Sequence, residues 1–144
     1  MNSLLYLGPK PPPVTGYANV VFELHKYFAA SGISTTFIST VPNLFAVLFP
    51  GKAWKLLRTL HLAWLTSLCA ASIPFHRGVY ISLNGGIGLL FDLACVATAR
   101  VFGKRILLHH HSFSYLNSRS SLAGLIFDVA GVSATHVVNC EAMQ

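Results

Sequence analysis

Acid is what this chain has least of. It holds four Asp and Glu among 144 residues, and 10% of its residues are charged at all, against ~25% in ordinary globular proteins. So few carboxylates leave no pair for a two-carboxylate mechanism. Glu23, Asp92 and Asp128 fall in helical patterns, and Glu141 alone lies near a strand end. Cysteine is sparse too. Cys69, Cys95 and Cys140 form no Cys-x-x-Cys pair, which excludes a zinc ribbon or a thioredoxin-type centre. An odd, dispersed set reads as buried, reduced thiols of a cytosolic protein. The chain has no Gly-x-Ser-x-Gly elbow, no Walker loop, no internal repeat and no low-complexity tract. Its N-terminus shows no basic region ahead of a short apolar run, so no signal peptide is expected.

What is present is apolar. Hydrophobic residues make up 53% of the chain, which excludes disorder. The length predicts one domain, residues 1–144, able to bury roughly two-thirds of its unfolded surface without disulfides. A chain so poor in charge is expected to lean on another domain, a partner or a membrane. The net charge of +6 favours an anionic partner, such as a phosphate-bearing ligand or an acidic lipid surface. Nucleic acid fits less well, because the basic residues are dispersed and do not alternate with aromatics.

The run from Ser3 to Leu7, stopped by Gly8-Pro9, predicts a buried strand. The prolines from Pro9 to Pro13 make a stiff loop, ended by Thr15-Gly16. A helix follows over 17–30, with Val20, Val21, Leu24, Tyr27 and Phe28 on its inner face and Gly32 past its end. Residues 34–40 are β-branched and aromatic and predict a second strand. Pro42 and Pro50-Gly51 interrupt the next stretch. A very apolar helix is then expected over 54–72, with a narrow polar stripe of Lys55, Arg58 and Thr59. Further strands are expected over 79–83, 105–111 and 135–140. Helices are expected over 88–102, with Leu90, Leu93, Ala94, Ala97 and Val101 on one side, and over 121–132. Strands with continuous apolar interiors, alternating with helices, indicate an α/β fold. It is a Rossmann-like, mostly parallel sheet with helices on both faces and both faces dry.

In such sheets ligands bind beyond the carboxyl ends of the strands, and the unusual residues of this chain fall there. Gly16 leads straight into a helix, so the backbone there is open to a phosphate or an acceptor; a plain turn after the prolines is the alternative. Asn84-Gly85-Gly86-x-Gly88 is not the dinucleotide fingerprint, since Lys104 and Arg105 stand where a ribose-binding acid is expected. It either lines a cleft or simply turns the chain. His109-His110-His111 invites a metal reading. Alternation along a strand puts His109 and His111 on one side and His110 on the other, so at most two reach one ion and no metal is expected. His111, nearest the loop, is the candidate to hydrogen-bond a substrate hydroxyl or a developing charge. The alternative is a set of histidines satisfied by backbone carbonyls.

These segments resemble a known group. Leu4-Leu-Tyr-Leu-Gly-x-x-Pro-Pro-Pro-Val-Thr-Gly16 with its helix looks like the opening of the GT-B glycosyltransferases of family four. The stretch from Val79 to Asn117, with Asn-Gly-Gly, Gly-Lys-Arg and Leu-His-His-His-Ser-Phe-Ser-Tyr, is similar to the middle of their N-terminal domain. The closing His-Val-Val-Asn-Cys-Glu-Ala-Met resembles the strand before a further helix. The resemblance covers nearly the whole chain. It implies one half of a GT-B architecture, in which an N-terminal domain holds the acceptor and a C-terminal domain with paired glutamates holds a nucleotide-sugar. No metal or other cofactor is implied. The turn matching Thr15-Gly16 approaches the donor diphosphate or the transferred sugar, and the histidine matching His111 lies near the reacting sugar. The family usually shows two glycines in this loop, and Thr15 stands for one of them.

The candidate residues are His111 as catalytic and Thr15, Gly16, Asn84, Gly85, Gly86, Ser112 and Tyr115 as substrate-binding. The expected function is the acceptor side of sugar transfer from a nucleotide-sugar to a glycan or lipid-linked acceptor. The donor-binding half is absent from the chain, so the domain is expected to be truncated and inactive alone. It would need that missing domain or a second chain as partner. The alternative is a non-catalytic binding module, a split or degenerate relative that pairs with another chain. The run from Leu56 to Phe75 leaves three readings: a buried or inter-domain helix, peripheral contact with an anionic membrane surface, or a true span. The expected location is cytoplasmic, with contact at the inner membrane face under the second reading.

Overall fold

The computed structural model describes residues 3–11, 14–40, 52–111 and 120–139, with the backbone alone for 52–58. Five strands form a single sheet: β1 (Ser3–Gly8), β2 (Ser34–Ser39), β3 (Gly78–Ser82), β4 (Arg105–His110) and β5 (Thr135–Val138). All pairings are parallel, in the order β2-β1-β3-β4-β5. Among the described residues four helices connect them: α1 (Gly16–Ala30), α2 (Lys52–Ser72), α3 (Leu89–Val101) and α4 (Ser121–Ala130). The α/β fold with a Rossmann-like parallel sheet is therefore the one expected from the alternation of elements.

The crossover rule explains where the helices lie. The chain steps one way from β1 to β2, then passes back over β1 to β3 and continues outward to β4 and β5. Right-handed crossovers assign a helix to a face according to direction. Thus α1 covers one face and α2, α3 and α4 cover the other. Side chains alternate accordingly. Leu5, Leu7, Val79, Ile81, Ile106 and Leu108 join the core under α2–α4, while Leu4, Tyr6 and Tyr80 pack with Val21 of α1. Tyr6 is fully buried and stacks on Tyr80, with ring centroids 4.0 Å apart and planes 9° from parallel. Its hydroxyl donates to the Val21 carbonyl at 2.7 Å.

Four expectations need correction. The sheet is not dry on both faces among the described residues. On the α1 side Arg105, Thr135 and Asn139 are exposed, with Leu107 and Val137 half-buried. On α1 the inner face centres on Ala18 and Val21, and Val20 and Tyr27 point outward. On α3 the buried residues are Leu89, Asp92, Cys95, Val96 and Ala99, while Leu90 and Val101 are exposed. Both helices are apolar around more than one side, so periodicity left their rotation about the axis open. The helix expected from Gly88 begins as a 3-10 turn over Gly86–Gly88.

Helix α2 is likewise apolar on two sides. Leu62, Leu65 and Cys69 face the core, whereas Leu60, Trp64 and Leu68 are exposed at four-residue spacing. Among the described residues no helix is long and apolar enough to cross a membrane.

Candidate functional site

The strand order reverses between β1 and β3, the point at which open α/β sheets form a crevice. Three segments meet there. The first is the start of α1. Thr15 is its N-cap, in extended conformation, and its Oγ1 accepts from the Ala18 N–H at 3.0 Å. Gly16 opens the helix with no atom within 4 Å of where a Cβ would stand. Tyr17 follows and reaches across the crevice to the end of β3. The Ser82 hydroxyl donates to the Tyr17 hydroxyl at 2.7 Å, and the Tyr17 hydroxyl donates toward the Ser82 carbonyl at 3.3 Å.

β1 can approach this closely because it ends in glycine. A Cβ on Gly8 would sit 2.6 Å from Val21 Cγ1 and 3.2 Å from Ser82 Cβ.

The second segment is the turn after β3. Asn84 is locked by Asp92 in the first turn of α3. Its backbone N–H donates to Asp92 Oδ2 at 2.7 Å, and its Nδ2 donates to Oδ1 at 2.8 Å. Asp92 is 4% exposed, and burial raises its carboxyl to about 7 against the opposing pull of the two Asn84 bonds. Gly85 is open to solvent, and Gly86 adopts a left-handed φ of 58° that favours glycine. Gly88 is needed for space, since a Cβ there would lie 2.6 Å from that of Asn84. Gly85, Ile87, Leu90, Phe91 and Leu62 line a cavity of about 440 Å³ beside this turn.

The third segment is the end of β4. His109 and His111 lie on the α1 face with ring centroids 3.7 Å apart. His110 lies on the other face, against Phe127 and His136, with its Nε2 2.9 Å from His136 Nδ1. The His111 ring packs on Tyr17, centroid to centroid 4.2 Å. Asn139, just past β5, bridges the histidines: its Oδ1 lies 2.7 Å from His109 Nε2 and its Nδ2 3.2 Å from His111 Nδ1. His109 Nδ1 is hydrogen-bonded to the Tyr80 hydroxyl. His111 Nε2 is buried and has no hydrogen-bond partner among the described residues. Desolvation, and then the neighbouring imidazoles, push His111 down to about 3 and His110 to about 4; His109 is also lowered, chiefly by burial. All three rings are therefore neutral near pH 7.

The structure thus brings Gly16 and His111 to one rim through Tyr17. Ser112 and Tyr115 lie outside the described residues, as do Cys140 and Glu141. Thr15 uses its side-chain oxygen as a cap, and Asn84 uses its side-chain N–H on Asp92. No carboxylate stands on the rim among the described residues. Glu23 pairs with Lys26 on the surface of α1 and Asp92 is committed to Asn84. The arrangement offers hydrogen-bond donors, an aromatic face and open backbone. Among the described residues no group of three or more His, Cys, Asp or Glu is placed to hold a metal ion.

Sequence reasoning did not single out Tyr17, Tyr80 or Asn139. Tyr17 follows a turn and Tyr80 reads as strand core. Asn139 meets His111 only through the β4–β5 register, which pairs His109 with Val137. No protein-family profile, curated protein or solved structure shows a significant match to the chain.

Proposed function

We propose that this chain is the acceptor-side domain of a GT-B glycosyltransferase of the family-four type, moving a sugar from a nucleotide-sugar to a glycan or lipid-linked acceptor. The observation that carries the reading is the 4.2 Å packing of Tyr17 on His111. It draws the Thr15-Gly16 turn and the strand-end histidine to one rim at the reversal of strand order. A rim of neutral donors and aromatic rings suits hydroxyl-rich ligands, and the open backbone at Gly16 and Gly85 leaves room for them. The apolar cavity beside Gly85 suits the hydrocarbon part of a lipid-linked acceptor. No carboxylate stands on the rim among the described residues, and under this reading a donor-binding domain supplies the remaining reacting groups, so the chain alone is expected to bind without transferring. Contact of the exposed Leu60, Trp64 and Leu68 with an anionic inner-membrane surface fits the same role.

The test is a titration of the ¹⁵N-labelled chain with nucleotide-sugars, oligosaccharides and a short-chain polyprenyl-linked sugar, followed by amide shifts. The expected result is saturable shifts at Tyr17, Asn84 and Gly85, weakened about tenfold in His111→Ala, the loss of one hydrogen bond to a ligand. Rim amides unmoved by every ligand at millimolar concentration would overturn the assignment. Sugar transfer by the chain without a second polypeptide would overturn the division of labour.

A further inference from the structure

We propose that Asn139 is a positioning residue that holds His111 in the tautomer with its proton on Nε2, so that the rim holds one neutral, buried N–H donor with no partner among the described residues. This deepens the reading of the rim as a ligand site and rests on it for the ligand alone.

A neutral imidazole has one N–H and one bare nitrogen, and a carboxamide has one accepting and one donating side. Asn139 turns its Oδ1 to His109 Nε2 and its Nδ2 to His111 Nδ1. His109 must then donate from Nε2, which leaves its Nδ1 as an acceptor for the Tyr80 O–H. His111 must accept at Nδ1, so its proton stands on Nε2. That atom is buried and has no partner among the described residues. A buried donor without a partner costs stability.

The same carboxamide disfavours the charged ring. An imidazolium would set Nδ1–H against the Asn139 N–H, donor against donor. Among the described residues the titratable groups facing His111 are Tyr17 from α1 and His109 from β4, with Tyr80 of β3 behind His109. Three strands therefore pass one hydrogen-bond direction along, from Tyr80 through His109 and Asn139 to His111. The consequence is chemical: His111 donates in the ground state and does not act as a base.

The test reads tautomers directly, in the ligand-free chain at neutral pH, by long-range ¹H–¹⁵N correlation of the histidine rings. The His111 signals are assigned by their loss in His111→Gln. The expected spectrum has an unprotonated shift at His111 Nδ1 and a protonated one at Nε2. Asn139→Asp makes both sides of the bridge acceptors and is expected to move the His111 proton to Nδ1. Tyr80→Phe keeps the stacked ring, removes the donor to His109, and is expected to give His111 a mixture of tautomers; it decides alone if the first variant does not fold. A native His111 protonated on Nδ1 or on both nitrogens overturns the proposal. So does a His111 tautomer indifferent to the variants that fold. Because no ligand is present, a failure to bind sugars leaves this result standing, and a reversed tautomer leaves the binding titration standing.

Discussion

Burial acts on Asp92 and on the strand-end histidines with opposite sign. The Asp92 carboxyl is raised from 3.8 to about 7, so the folded chain holds a proton that the unfolded chain has released. Its contribution is present in full below about pH 4 and is lost as pH rises through 7, a change of about 4 kcal/mol at 1.36 kcal/mol per pH unit. The histidines are lowered from 6.5, His110 to about 4 and His111 to about 3. Their contribution is complete above pH 6.5 and is lost as pH falls toward 3. Acidification from pH 7 to 4 is therefore expected to lower the melting temperature. Asp92→Asn removes the opposing trend, so the fall is expected to be steeper in that variant, as read by thermal unfolding at several pH values. A shallower fall would mean that Asp92 is ionised in the fold. Neither sign was legible beforehand. The chain order put Asp92 in a helix and His111 at a strand end, and only packing removed water from them.

At the scale of elements, close approach separates the glycines. Gly8→Ala places a methyl 2.6 Å from Val21 Cγ1 inside the fully buried contact of β1, α1 and β3. It is expected to cost about 1–3 kcal/mol in urea unfolding. Gly16→Ala meets no atom within 4 Å and is expected to change stability by less than about 0.5 kcal/mol, while reducing ligand binding at the rim. Equal stability losses in the two variants would contradict this assignment of space. The cysteines belong to the same scale. Cys69 of α2 and Cys95 of α3 are far apart in the chain, yet both are buried and line one small cavity with Asp92. Neither is expected to react with a thiol reagent in the native chain, by mass mapping of labelled peptides, and both are expected to react in denaturant. The elements themselves were legible to within a few residues, because strand runs and helix stops are local signals. The buried sides of α1 and α3 were not, because apolar residues surround both helices and the sheet selected among them.

For the molecule as a whole, the placement of the described helices, three on one face and one on the other, follows from the strand order. The outer side of α2 carries Leu60, Trp64 and Leu68, with Trp64 66% exposed. If this side rests on a bilayer, flotation with anionic vesicles is expected to carry the chain upward, neutral vesicles to carry less of it, and Trp64→Ser to reduce flotation several-fold. Equal flotation of the native chain and Trp64→Ser would remove α2 from any membrane role.

By itself the sequence determined the alternation of strands and helices, the parallel sheet, and the fact that glycines and histidines gather at the carboxyl ends of strands. These depend on residue types a few positions apart. The tertiary structure decided what those residues meet. Tyr17 lies on His111, Asn139 between two imidazoles, and Asp92 under Asn84, because strand order and register join segments from 8 to 94 residues apart in the chain. Hydrogen-bond direction and loss of water exist only once those segments have been brought together.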